Sequence, residues 1–224
     1  MLTARLTLER FGKDGRLLEK KEQPSRSFLF QFIELLYVAH AQITAGAPYP
    51  MQDITDAARN IDSATEGAGN YRGAKCNLRI GSPGGLSGAW CWSGANPASF
   101  VNIIKPSANV GIVVGSGVGA VVPTNYALGT KIAHGDGAGE LEYGGCELIG
   151  LTLADPNGQF TIRRYLTNSS GGNVTVQEVG IYSPGGNGTL DSSFVFAIAR
   201  DITGAVVVAD TELLRVTYAI QITV

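Results

Sequence analysis

The residues able to do chemistry are few, and their spacing decides what chemistry is open to them. His40 and His134 are the only imidazoles in the 224 residues, so acid–base work near neutral pH has two candidate groups. His40 lies in an apolar stretch. His134 stands in His134-Gly-Asp136-Gly, where an imidazole and a carboxylate two residues apart would suit a metal site or a hydrolase with a Glu as third member. The flanking glycines instead predict a surface turn. Glu140 and Glu142 would share one face of a strand, as solvent-facing carboxylates commonly do, and glycoside hydrolysis needs a spatial separation that alternation does not fix. The sequence contains no Gly-x-Ser-x-Gly elbow, no His-Glu-x-x-His helix and no loop with EF-hand spacing.

The three cysteines, Cys76, Cys91 and Cys146, form no C-x-x-C pair, which argues against structural zinc and thioredoxin-like chemistry and predicts buried thiols, or one disulfide with a thiol left over in an oxidising medium. Gly115-Ser-Gly-Val-Gly119 follows an apolar run like a phosphate-binding loop, yet Val121, Val122 and Pro123 come next where a helix and a Lys-Ser/Thr pair are required. A bend or close backbone packing is the expected role. Trp90 and Trp92 flank Cys91 and would share a strand face, either anchoring an interface or stacking on a sugar. Neither catalytic, cofactor-binding nor metal residues are expected.

Composition points the same way. Charged residues make up 16% of the chain and glycine fills 30 positions, which predicts a largely neutral, β-prone surface that depends on covered edges or on assembly. Residues 1–105 hold 12 Lys/Arg and 9 Asp/Glu, whereas residues 106–224 hold 5 and 10, so the halves carry +3 and −5. No basic stripe forms, and direct nucleic-acid binding is not expected. The most apolar stretch, Phe28 to Ala41, is too short to span a bilayer and contains Gln31, Glu34 and His40. The N-terminal residues lack a secretion pattern, so folding in a cytoplasm is expected. Asn-x-Ser/Thr triplets at Asn168, Asn173 and Asn187 accordingly read as turn composition.

Three regions follow. Residues 1–45 predict a hairpin and a helix: Leu2, Ala4, Leu6 and Leu8 alternate with Thr3, Arg5, Thr7 and Glu9, and Lys13-Asp14-Gly15 turns the chain. A helix over roughly 28–42, capped by Ser25 or Ser27, would be apolar on nearly every side. Phe28, Phe32 and Leu36, with Trp90 and Trp92, are the candidate interface residues. Residues 46–108 predict an extended, loop-rich connection with a short helix over 53–61. Residues 109–224 predict an antiparallel β-sandwich or partly closed barrel, from short alternating strands ending in Leu214, Val216, Tyr218, Ile220, Ile222 and Val224 on one face. Alternation slips within Phe160–Leu166 and near Gln177–Val179 predict bulges, and Asn168–Asn173 predicts a hairpin connection. The fold class is thus mainly β with one apolar helix.

Several segments of the second half resemble structural proteins of tailed bacteriophages, in the tail-fibre and collar-associated group. They are Gly111-Ile-Val-Val-Gly115, Tyr126-Ala-Leu-Gly-Thr-Lys-Ile132, Leu141-Glu-Tyr143, Phe160-Thr-Ile-Arg163, Leu166-Thr-Asn168, Glu178-Val-Gly-Ile-Tyr182 and Val216-Thr-Tyr-Ala-Ile220. The resemblance covers about half the chain and carries over no catalytic residue or cofactor. It implies a non-enzymatic virion subunit whose partners are copies of itself and other virion proteins. In the matched strand Gly180 would permit a bulge or a close approach, and Glu178 would either accept backbone hydrogen bonds or face solvent. A long fibre shaft is absent from the sequence, which favours a compact tail, collar, baseplate or capsid-associated adaptor. A carbohydrate-binding host-recognition module using Trp90 and Trp92 is the alternative.

Overall fold

The computed structural model describes residues 2–25, 27–41, 43, 47–61, 108–186 and 193–223. Ten strands and one helix occur among them: β1 (Leu2–Phe11), β2 (Leu17–Ser25), α1 (Phe30–His40), β3 (Tyr49–Gln52), β4 (Ala58–Ile61), β5 (Gly111–Gly115), β6 (Glu142–Ala154), β7 (Asn157–Thr167), β8 (Val174–Gly186), β9 (Ser193–Val208) and β10 (Leu213–Thr223). A five-stranded antiparallel sheet in the order β2-β1-β10-β7-β6 faces a three-stranded one in the order β5-β8-β9. Neither closes on itself, and the fold is a β-sandwich.

Alternation builds the core between the sheets. Leu6 and Leu8 of β1, Leu214, Val216 and Tyr218 of β10, and Ile162 and Leu166 of β7 turn inward against Ile112, Val114, Val176, Val179 and Phe196 of the smaller sheet. Each fully buried aliphatic side chain contributes about 1.5–3 kcal/mol. The N-terminal hairpin belongs to this sandwich, because β1 pairs with β10 along its whole length, from Leu2↔Ile222 to Phe11↔Leu213. Residue 45 is therefore no boundary in the sheet.

Several local expectations change for identifiable reasons. The stretch over 53–61 is a hairpin, not a helix: the Asp53 carboxylate accepts from the Thr55 and Ala57 amides and from the Thr55 hydroxyl, which fixes the turn between β3 and β4. The long helix begins at Phe30 with Leu29 as an N-cap that makes no side-chain bond. Residues 27–29 are taken by β9 instead, through Leu29 N–H to Ile198 O and Arg200 N–H to Ser27 O. Ser25 ends β2 and donates to Asp201 at 2.7 Å.

The segment Asn168–Asn173 is not a hairpin, since β7 and β8 lie in different sheets and the turn crosses between them. Asn168 holds that crossing: its amide donates to Gly172 O and Val208 O, and its side-chain oxygen accepts from the Ser170 amide and hydroxyl. The slip in β7 is not a bulge in that strand. Ile162, Arg164 and Leu166 all point inward in regular register with β10, so the interruption is an arginine at a core position. Extra residues opposite β7 lie on β6 instead. Near Gln177–Val179 the ladder does shift, with the extra residues on β9 around Gly204.

Tyr218 joins the two sheets by donating to Asp201 at 2.8 Å, while burial and the neighbouring carboxylate push its ionisation well above the ordinary tyrosine range. Tyr218→Phe leaves the buried Asp201 with one hydroxyl donor fewer, and we expect a loss of about 1.5–3 kcal/mol in a denaturant titration.

Candidate assembly surface

The buried polar groups of the sandwich fasten it from within. The Glu178 carboxylate, on β8, is fully buried and accepts backbone N–H groups from Gly117, Gly129 and Thr130 at 2.8–3.0 Å. Arg200, opposite on β9, donates to the same carboxylate at 2.8 Å and reaches Asn125 Oδ1 and Gly119 O. Together they strap the loop 116–131 onto the smaller sheet. This is the backbone-accepting role of the two open to Glu178. The glycine run fits the same strap: a side chain at Gly115 or Gly117 would collide with Glu178, so close packing of backbone is what the glycines allow. Tyr143 and Tyr182 complete it, the first donating to Ile132 O and the second accepting from Leu128 N–H. Arg164 points inward beneath β5, donating to Val110 O and Ile112 O beside the buried Cys146 thiol. Burial lowers the Arg164 ionisation and raises that of Cys146. Sequence reasoning missed Arg164 and Arg200 because a charge at an inward position reads as a break in pattern.

His134 and Asp136 lie in an exposed turn. His134 Nδ1 accepts the Tyr143 N–H at 2.9 Å, so that nitrogen carries the lone pair of the tautomer. The Glu140 carboxylate turns back onto the Gly137 N–H. Among the described residues no group of three His, Cys, Asp or Glu is placed to hold a metal ion, and no helix is long and apolar enough to cross a membrane. A shallow groove of 340 Å³ is lined by Phe11, Lys13, Tyr165, Leu213 and Arg215. One of its two cations, Arg215, is already bonded to Glu9 at 2.8 Å and lies over the Phe11 ring.

Two of the regions that the molecule presents outward are apolar. On α1, which packs against β9 and β3, Leu35 and Val38 are fully buried, whereas Phe30, Ile33 and Tyr37 are 52%, 59% and 54% exposed. Their spacing of three and four residues makes one continuous stripe. Of the interface candidates, Phe28 and Phe32 pack on one another at 4.7 Å and against the core, and Leu36 is half-buried. The exposed stripe is therefore the face rotated away from them, and a helix apolar all round gave no signal to tell the two apart. Trp90 and Trp92 lie outside the described residues. A second apolar region sits on β6, where Leu151 and Leu153 are 67% and 75% exposed.

Glu34, bordering the helical stripe, is held above the usual carboxylate range by burial, only partly offset by the Tyr49 hydroxyl that it accepts at 3.3 Å. A comparison with protein-family models, with curated proteins and with solved structures finds no match for this chain.

Proposed function

We propose that this chain is a non-enzymatic structural subunit of a bacteriophage virion, a tail, collar, baseplate or capsid-associated adaptor that works through contacts with copies of itself and with neighbouring virion proteins. The observation that carries the reading is the exposed stripe Phe30, Ile33 and Tyr37 on a helix whose opposite face is fixed against β9. Three large apolar side chains in one row on a rigid element are costly in water and are recovered by burial against a partner. The buried Glu178–Arg200 pair and the tyrosine anchors support the same reading, since they spend the fold's polar groups on rigidity. The resemblance of residues 111–220 to tail-fibre and collar-associated proteins gives the kind of assembly. Residence in the virion after folding in the host cytoplasm goes with it, and the reading involves no cofactor.

Ile33→Lys tests this, because the side chain lies on the surface and its replacement leaves the core intact. The purified wild-type chain is expected to sediment as an oligomer and to be found in purified particles by mass spectrometry. The variant is expected to keep its unfolding midpoint while losing about 2 kcal/mol or more of association free energy. A stable wild-type monomer that never enters particles would overturn the proposal.

A further inference from the structure

Among the described residues, three of the four edges of the two sheets are guarded and one is open. The β9 edge is covered by residues 27–29 and by Ile54 N–H bonded to Val195 O. The β5 edge is covered by residues 130–132, through Ser116 N–H to Thr130 O and Ile132 N–H to Val114 O. On the larger sheet, β2 carries Glu19, Lys20, Lys21, Glu22 and Pro24, the charges and proline that discourage another strand from adding. The opposite edge, β6, has none of these from Leu148 to Ala154, a run of Leu-Ile-Gly-Leu-Thr-Leu-Ala. Residues 149–156 are all exposed.

The same end of the sheet is apolar across its width. Register places Leu2, Ile222, Gly158 and Leu153 side by side on β1, β10, β7 and β6. Ile222 shares its face with the buried Ile220, so this row continues the core side of the sheet beyond the cover of the smaller one. Leu2 and Ile222 are 40% and 54% exposed.

An open edge of alternating N–H and C=O groups is satisfied in full only by another extended backbone. An uncharged edge offers nothing to repel its own copy, and an antiparallel edge paired with itself is closed by a two-fold axis. Pairing centred on Thr152 sets Leu151 of each copy against Leu153 of the other, on the core side of both sheets. The extra residue on β6 between Ile149 and Thr152 bends the strand and confines the pairing to the stretch around Thr152. We infer that β6 pairs antiparallel with β6 of a second copy, joining the five-stranded sheets of two subunits into one continuous sheet with a shared apolar row. This rests on the homo-oligomeric reading above and assigns it a contact between copies beside the helical stripe.

The test uses the full chain with Leu151→Lys and Leu153→Lys together, sedimented over a dilution series beside wild type and Ile33→Lys. Both substitutions fall on exposed positions, and an unchanged unfolding midpoint checks that the fold is kept. The wild type is expected to dimerise through this edge, with slowed hydrogen exchange at amides 151–154. The double variant is expected to lose the β6-mediated association, with an apparent dissociation constant about 100-fold higher and fast exchange at those amides. A double variant that associates as tightly as wild type, or whose amides 151–154 still exchange slowly, overturns the β6 interface and leaves homo-oligomerisation standing. A wild type that is monomeric throughout the series overturns both.

Discussion

Glu178→Ala is expected to cost about 3–5 kcal/mol of unfolding free energy, the largest loss from any single side chain considered, because it leaves a buried guanidinium without its carboxylate. The Arg200 side chain is 4% exposed and that of Glu178 is 0% exposed, so little water can replace the missing partner. Three backbone N–H groups of the loop 116–131 lose their acceptor at the same time. Guanidinium titrations measure the total, and hydrogen exchange at Gly117, Gly129 and Thr130 shows whether the strap opens. A loss under about 1 kcal/mol would mean that the pair does not hold the loop.

The same group sets the acid limit. Burial opposes ionisation of Glu178, but the Thr130 and Gly129 amides and Arg200 outweigh it and hold the carboxyl below its ordinary value of 4.5. A depressed folded value means that the ionised form stabilises the fold. That contribution is complete above the ordinary value and is lost as pH falls through the lower folded one. Wild type therefore loses stability on that acid limb, while Glu178→Gln, which cannot ionise, lacks this part of the slope.

Gly180→Val is the second large effect, at about 3 kcal/mol, from overpacking. Gly180 pairs with Val113 on one side and Arg200 on the other. A Cβ there would stand 2.9 Å from Ala199 O and 3.0 Å from Leu128 Cδ2. The oxygen belongs to the β9 backbone and cannot retreat without distorting the ladder, and moving Leu128 disturbs the bond from its N–H to Tyr182. Gly150→Ala is the matching control: nothing lies within 4 Å of its added carbon, and its stability should be nearly unchanged. Equal midpoints for the Gly180 and Gly150 variants would remove the close-approach argument.

The sandwich and its strands were legible because alternation survives wherever one face meets the core. Leu6 and Leu8, and Leu214 through Ile220, show it without interruption. The 53–61 hairpin was misread because a four-residue strand has too little pattern to outweigh its Ala and Asp content, and the decisive Asp53 turn is a geometry of hydrogen bonds. Arg164 was misread for the opposite reason. A strong pattern with one charge in it looks broken, although the charge is buried and bonded to the carbonyls of β5.

For the candidate surface, residue types alone identified an apolar helix that needs cover on more than one side. Which side the fold covers is decided by residues 27–29, whose pairing with β9 sets the helix with Leu35 and Val38 inward and Phe30, Ile33 and Tyr37 outward. Likewise the neutral run 148–154 was visible as sequence, but its place on an edge follows from long-range strand order. The sequence by itself determined the mainly β class, the inward face of most strands and the scarcity of titrating side chains, since these depend on residue type and period. Tertiary structure alone decided which strands are edges, which helix face stays in water and which carboxylate is buried. Those features depend on contacts between residues far apart in the chain, and local pattern carries no record of them.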